Sequence, residues 1–177
     1  MTTIRPRSRL PRRIPALLFA LLLVGSFTAA APPSADAVTY VRFSSLTKAT
    51  RADRVVVSRV NISLPIRNGV IGGTVLERVA YHYPGTSWPG GDSNTYLYAH
   101  ARTGSFLNLK YMKVGDIVRL RLTTGAWVKY RVTLVKRVAW NDGRWTLLRS
   151  SEMLTLQTCT GNTRTADRLV VRAVPAY

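Results

Sequence analysis

The chain contains one cysteine, Cys159, and two histidines, His82 and His100. A lone thiol can be buried filler, half of an intermolecular disulfide, or a nucleophile. Free cysteines are among the most buried residues, so the position of Cys159 has to decide. A cysteine nucleophile works as thiolate, and an ordinary thiol pKa of about 8.5 leaves only a few per cent ionised at neutral pH. A neighbouring imidazolium or guanidinium favours the ionised form. A histidine can also protonate a leaving amine, and a positioned arginine can bind a developing oxyanion. Cys159, His100 and Arg168 supply these three roles. His82, in "YHYPG", is the other histidine, and Arg164 and Arg172 are the competing arginines. Scattered His and Cys lack zinc-ligand spacing. The acidic residues are too dispersed for a calcium loop. No G-x-S-x-G elbow is present. No metal or cofactor is expected.

Strand alternation says where these side chains point. In "LTLQTC" (154–159), Leu154 and Leu156 share a face with Thr158, while Thr155, Gln157 and Cys159 share the other. With the leucines inward, Cys159 points outward at the strand's end. In "TYLYAH" (95–100), Leu97 and Ala99 oppose Tyr96, Tyr98 and His100. In "RLVVRA" (168–173), Leu169, Val171 and Ala173 take the core face and leave Arg168, Val170 and Arg172 outside. Eight residues separate Cys159 from Arg168, so antiparallel pairing of their strands brings the two together.

The remaining segments read the same way. Extended runs are expected at 54–60, 62–66, 77–83, 95–101, 116–123, 126–138, 144–149, 154–159 and 168–173. Thr124-Gly125 marks a hairpin, Asn141-Asp142-Gly143 marks another turn, and helix is expected only around Ser105–Met112. Val, Tyr and Thr are frequent, which favours β structure. Short strands at this spacing indicate a closed barrel or sandwich of eight or nine strands. Apolar residues make up 46% of the 177, enough for a core.

The first 31 residues form a leader: Arg5, Arg7, Arg9, Arg12 and Arg13, then the uncharged run Ile14–Ala31. It reads in two ways. One is a secretory signal cleaved after Ala35-Asp36-Ala37; the other is a signal anchor with its basic end in the cytoplasm. Both carry the remainder out of the cytoplasm. Residues 32–53 read as a linker with one short extended piece at Val38–Phe43, and the folded domain as 54–177. The formal net charge is +18. Such a surface attracts polyanions without choosing among them.

The motifs resemble those of sortases, the cysteine transpeptidases of the bacterial cell surface. "TLQTC" (155–159) is similar to their TLxTC signature. "NTYLYAHARTGSFLNLKYMKVGD" (94–116) is similar to the segment carrying the catalytic histidine. "HYPGTSWPGG" (82–91) resembles H-Y-P-G-T-x-x-P-G, and "RLVVRA" resembles the strand that opens with the catalytic arginine. Many members have Gly where Ala99 stands; a small residue is kept.

The resemblance implies a mostly β fold, a closed eight-stranded β-barrel with one or two short helices. It implies that Cys159 attacks a bond in a surface-protein sorting signal, that a thioacyl-enzyme forms, and that an amine of a cell-wall precursor or pilin resolves it. His100 becomes the acid/base, Arg168 the carbonyl or oxyanion ligand, Thr158 a substrate-orienting residue, and His82 part of a structural motif. The leader, if uncleaved, adds a membrane contact. The competing reading, motivated by charge, is an inactive exported barrel that binds anionic wall polymer or nucleic acid. Export counts against a nucleic-acid partner, and none is expected.

Overall fold

The computed structural model describes residues 38–177. The leader at 1–31, the Ala35-Asp36-Ala37 site and the first part of the linker lie outside the described residues. Eight strands close into a barrel: β1 (Ala52–Val57), β2 (Ile62–Asn68), β3 (Ala80–His82), β4 (Asn94–Tyr98), β5 (Ile117–Leu122), β6 (Trp127–Val138), β7 (Met153–Cys159) and β8 (Arg168–Ala176). The order around the ring is β1-β2-β3-β4-β7-β8-β6-β5. All pairs are antiparallel except β2–β3 and β4–β7. No helix among the described residues is long and apolar enough to cross a membrane.

Period-two alternation builds the core. Val55 and Val57 of β1, Ile62 and Leu64 of β2, Val118, Leu120 and Leu122 of β5, and Val128, Tyr130 and Val132 of β6 point inward and are buried. Leu97, Leu154, Leu156 and Val171 complete the core beneath β4, β7 and β8. Burying such a side chain contributes about 1.5–3 kcal/mol each. The expected hairpin at Thr124-Gly125 joins β5 to β6. Gly125 has φ +87°, a conformation that costs glycine little. Every strand has both neighbours within the ring, so residues 38–177 hold the whole barrel and its core as a self-contained unit.

Among the described residues, four short 3-10 helices accompany the strands, at Phe43–Ser45, Ser58–Val60, Leu107–Tyr111 and Gly143–Trp145. The third is the helix expected near 105–112. The expected strand at 144–149 does not form. Asp142 accepts hydrogen bonds from the backbone and guanidinium of Arg144 and from the Trp145 indole. These bonds wind the segment into a turn, and both Leu147 and Leu148 stay exposed. The run at 54–60 ends as a strand at Val57, and that at 77–83 contracts to Ala80–His82. Residues 38–53, read as linker, lie on the barrel: Tyr40 bridges Trp127 and Phe43 is buried against Tyr130.

Candidate active site

Cys159 is the last residue of β7 and Arg168 the first of β8, and they are register partners across the antiparallel pair. The loop between them is closed at its base, where both the amide and the hydroxyl of Thr160 donate to the Asp167 carbonyl at 2.9 and 3.0 Å. Arg168 donates from one terminal nitrogen to the Ala166 carbonyl and from the other to the Arg164 carbonyl, at 3.0 Å for the latter. Two of its five N–H donors are thus held by its own loop, which aims the planar guanidinium. Arg164 contributes its main-chain carbonyl here. Arg172 stands opposite Thr155, deeper in β8, with its guanidinium 4.2 Å over the Trp145 ring.

His100 follows directly on β4. The β4–β7 pairing runs to Tyr98↔Gln157, and the Ala99 amide extends it by donating to the Gln157 carbonyl at 3.2 Å. One residue further on, His100 emerges beside Cys159. Its backbone carbonyl accepts from the Phe106 amide at 2.9 Å, and its Nε2 donates to the Val75 carbonyl at 2.8 Å. Thr158 is buried on the core face and donates its hydroxyl to the Ala99 carbonyl at 2.9 Å. It therefore ties the end of β7 to the end of β4 and also lines the cavities at Cys159.

Cys159, His100 and Arg168 line one open cleft of about 820 Å³, walled by Val75, Arg102 and Arg164. A second cavity, about 310 Å³, meets Cys159 from the side of Leu107, Lys110 and Arg137. From the cleft a groove continues over the outer face of β4, β7 and β8, floored by Gln157 and lined by Tyr83, Tyr96, Trp140 and Trp145. Burial pushes the Tyr96 phenol well above its ordinary pKa, with Tyr83 adding to the effect and Arg168 and Arg172 opposing it. The hydroxyl thus stays protonated and donates to Gln157 Oε1 at 2.5 Å. With its oxygen engaged, Gln157 has its amide N–H donors to offer.

His82 lies away from this cleft. It is buried, stacked on Trp88 at 3.8 Å, and donates from Nε2 to the Ser87 carbonyl at 2.8 Å. Burial lowers its pKa, and Arg51 adds to the lowering. Sequence reasoning missed Val75 and the groove aromatics. Val75 acts through a main-chain oxygen, which leaves no side-chain signal; the density of Tyr and Trp in 81–88 and 140–145 was the available sign of the groove. No group of three or more metal-ligating side chains occurs among the described residues.

A family model described as Sortase domain matches residues 42–176. No curated protein matches the chain. Among solved structures, sortase C1 of GBS Pilus Island 1 is 30% identical with a TM-score of 0.62, over 70% of this chain and 63% of that one. Sortase C from Clostridium perfringens SM101 is 25% identical with a TM-score of 0.62, over 71% and 70%. Sortase C-1 from Actinomyces oris is 27% identical with a TM-score of 0.63, over 74% and 76%. The chain thus spans under two thirds of the first of these structures.

Proposed function

The chain belongs to the sortase family, and on that premise we propose that it is a cysteine transpeptidase acting outside the cytoplasm, with Cys159, His100 and Arg168 as its catalytic residues. The supporting observation is the pairing of Cys159 with Arg168 at the mouth of a cleft that His100 also lines.

The thiolate sulfur of Cys159 attacks the carbonyl carbon of a scissile peptide bond in a surface-protein sorting signal. The oxyanion that develops is met by the N–H groups of Arg168 that its own loop leaves available. The carbon–nitrogen bond breaks, and the departing amine takes its proton from His100. The acyl group is then a thioester on Cys159. An amine of a cell-wall precursor or a pilin lysine attacks that thioester and gives a proton to imidazole. A new amide leaves, and the thiolate returns. The aromatic groove over β4 and β7 holds the peptide on the approach, with Gln157 N–H groups meeting its backbone carbonyls. Thr158 acts in this scheme as a tie between strands that sets the distance from imidazole to thiol. The competing reading, an inactive polyanion-binding barrel, gives no reason for a free thiol, an imidazole and a guanidinium to share a cleft.

The test is mass spectrometry of the protein after incubation with candidate sorting peptides. A thioester adduct on Cys159 that disappears with added amine supports the proposal. No adduct with any peptide, together with unchanged peptide cleavage in Cys159→Ala, sinks it.

A further inference from the structure

The barrel wall opposite the cleft carries an unusual row of charges. β1 lies four strands around the ring from β7, and β5 lies four from β4. Their outward positions, with those of β6, line up by register. Arg54 stands opposite Arg121, which stands opposite Trp127. On the next rung Val56 stands opposite Arg119, and Arg119 opposite Lys129. On the third, Ile117 stands opposite Arg131. Like charges directly opposite on one sheet face destabilise the sheet, and here two such pairs, Arg54–Arg121 and Arg119–Lys129, adjoin. Asp53 offsets one of these cations by pairing with Arg121 at 2.7 Å. Arg54, Arg119, Lys129 and Arg131 form no ion pair among the described residues. Aromatic rings stand among them: Lys129 lies 4.3 Å over Tyr40, and Arg119 lies 5.9 Å over Trp127. Arg54 donates to the Ser63 hydroxyl and Arg119 to the hydroxyls of Tyr40 and Ser58, which holds the side chains but leaves their charge uncompensated; a partner that supplies anions would compensate it.

The position of the N-terminal segment identifies that partner. Residues 39–41 run beside Trp127: the Trp127 amide donates to the Thr39 carbonyl and the Val41 amide to the Trp127 carbonyl, both at 2.9 Å. The chain therefore joins the barrel at this face. The uncharged run Ile14–Ala31 ends seven residues before Val38. Seven extended residues span at most about 25 Å. On the signal-anchor reading of the leader, the bilayer lies within that reach of Val38, where the chain meets this face. Arg and Lys with interfacial Tyr and Trp are also the residue types that meet anionic headgroups.

We propose that the outer face of β1, β5 and β6 is a docking surface for anionic lipid headgroups. Docking turns the Cys159 cleft, on the far side of the ring, away from the bilayer and towards substrates arriving from outside. The surface works without Cys159 and does not depend on the proposed reaction.

The test is co-sedimentation of residues 38–177 with vesicles of phosphatidylcholine alone or with 30 mol% phosphatidylglycerol. Anionic vesicles should bind at least ten times better, with binding falling steeply as salt rises. A variant carrying Arg54→Gln, Arg119→Gln, Lys129→Gln and Arg131→Gln should lose roughly fivefold per cation. A variant with the same charge change elsewhere, Lys48→Gln, Arg78→Gln, Arg102→Gln and Lys136→Gln, should retain most binding. Thermal melts guard against misfolding; removal of facing like charges should leave Tm of the first variant unchanged or higher. Equal binding to neutral vesicles, or equal losses in the two variants, would overturn the proposal. So would tighter binding of a soluble glycerol-phosphate polymer than of vesicles at matched phosphate, which would assign the face to an anionic polymer.

Discussion

The Nε2 of His100 donates to the main-chain carbonyl of Val75 at 2.8 Å. β4 thus sets where the histidine backbone lies, while the β2–β3 connection sets which way its ring turns. Gly69 stands at the root of that connection, where its amide donates to the His82 carbonyl at 2.8 Å. A Cβ at Gly69 would sit 2.8 Å from that same oxygen and 2.5 Å from the Tyr98 hydroxyl. Gly69→Ala must shift the root, and with it Val75. The expected result is a 10- to 100-fold fall in kcat/KM for thioester formation, since small displacements of a reacting group cost that much. A stability loss of about 1–3 kcal/mol accompanies it. Steady-state kinetics beside a urea melt check both; unchanged kinetics would mean that the loop does not position the ring.

Thr158→Val keeps the side chain's shape and removes its hydrogen bond to Ala99. The buried Ala99 carbonyl is left short of a donor, which should cost about 1–3 kcal/mol. Thr158→Ser should recover most of that. Urea unfolding of the three proteins measures the difference, and equal midpoints would remove Thr158 as a tie between β4 and β7.

Arg168→Ala should slow acylation by roughly 10²–10³-fold, the usual loss when one oxyanion donor is removed. Arg168→Lys should restore little, because an ammonium cannot span the Ala166 and Arg164 carbonyls and still meet substrate in one plane. Arg164→Ala, which leaves the Arg164 carbonyl in place, should stay within a few-fold of the parent. Single-turnover kinetics with a sorting peptide distinguish these. If Arg164→Ala proves the damaging change, the oxyanion role moves from the strand to the loop.

Glu152 accepts from the Tyr130 hydroxyl at 2.6 Å and from the Gly90 amide at 3.1 Å in a buried pocket. Burial raises its pKa above the unfolded value, with those two bonds pulling partly back. Between an unfolded value of about 4.3 and the raised folded one, the native state holds more proton than the unfolded chain. Stability from this group therefore falls as pH rises through that window. Glu152→Gln keeps an acceptor for Tyr130 and removes the titration. Its Tm advantage over the parent should grow from pH 4 towards neutrality. Asp142, held below the usual carboxylate range by its Arg144 hydrogen bonds, acts in the opposite sense in both proteins and cancels from the difference. A gap that does not change with pH would rule out burial of a titrating Glu152.

Much of the site was legible because alternation reports faces. Leu154 and Leu156 are fully buried, and Cys159 at the end of that strand is half-exposed. The eight-residue loop brought Arg168 opposite the thiol as antiparallel pairing requires. Alternation does not report partners, so the parallel pairing of β4 with β7, which brings His100 to the thiol, could not be read from it. Nor does it show when both faces are covered: Tyr96 and Val170 point away from the core and are still buried. The run "RWTLLR" carries strand-like residues, yet Asp142 competes for its backbone and side chains and wins. Propensity in a short exposed stretch is weak against such local hydrogen bonds.

The ring order also sets a timetable. β7 inserts between β4 and β8, and its first rung joins Met153 to Asn94, residues far apart in the chain. β8 then closes the circle against β6. Contacts between such distant residues form late and slowly, and the closing ones need β8, Arg168–Ala176. Until β8 docks against β7, the thiol has no arginine opposite it. The pairing of Cys159 with Arg168 therefore arrives together with barrel closure.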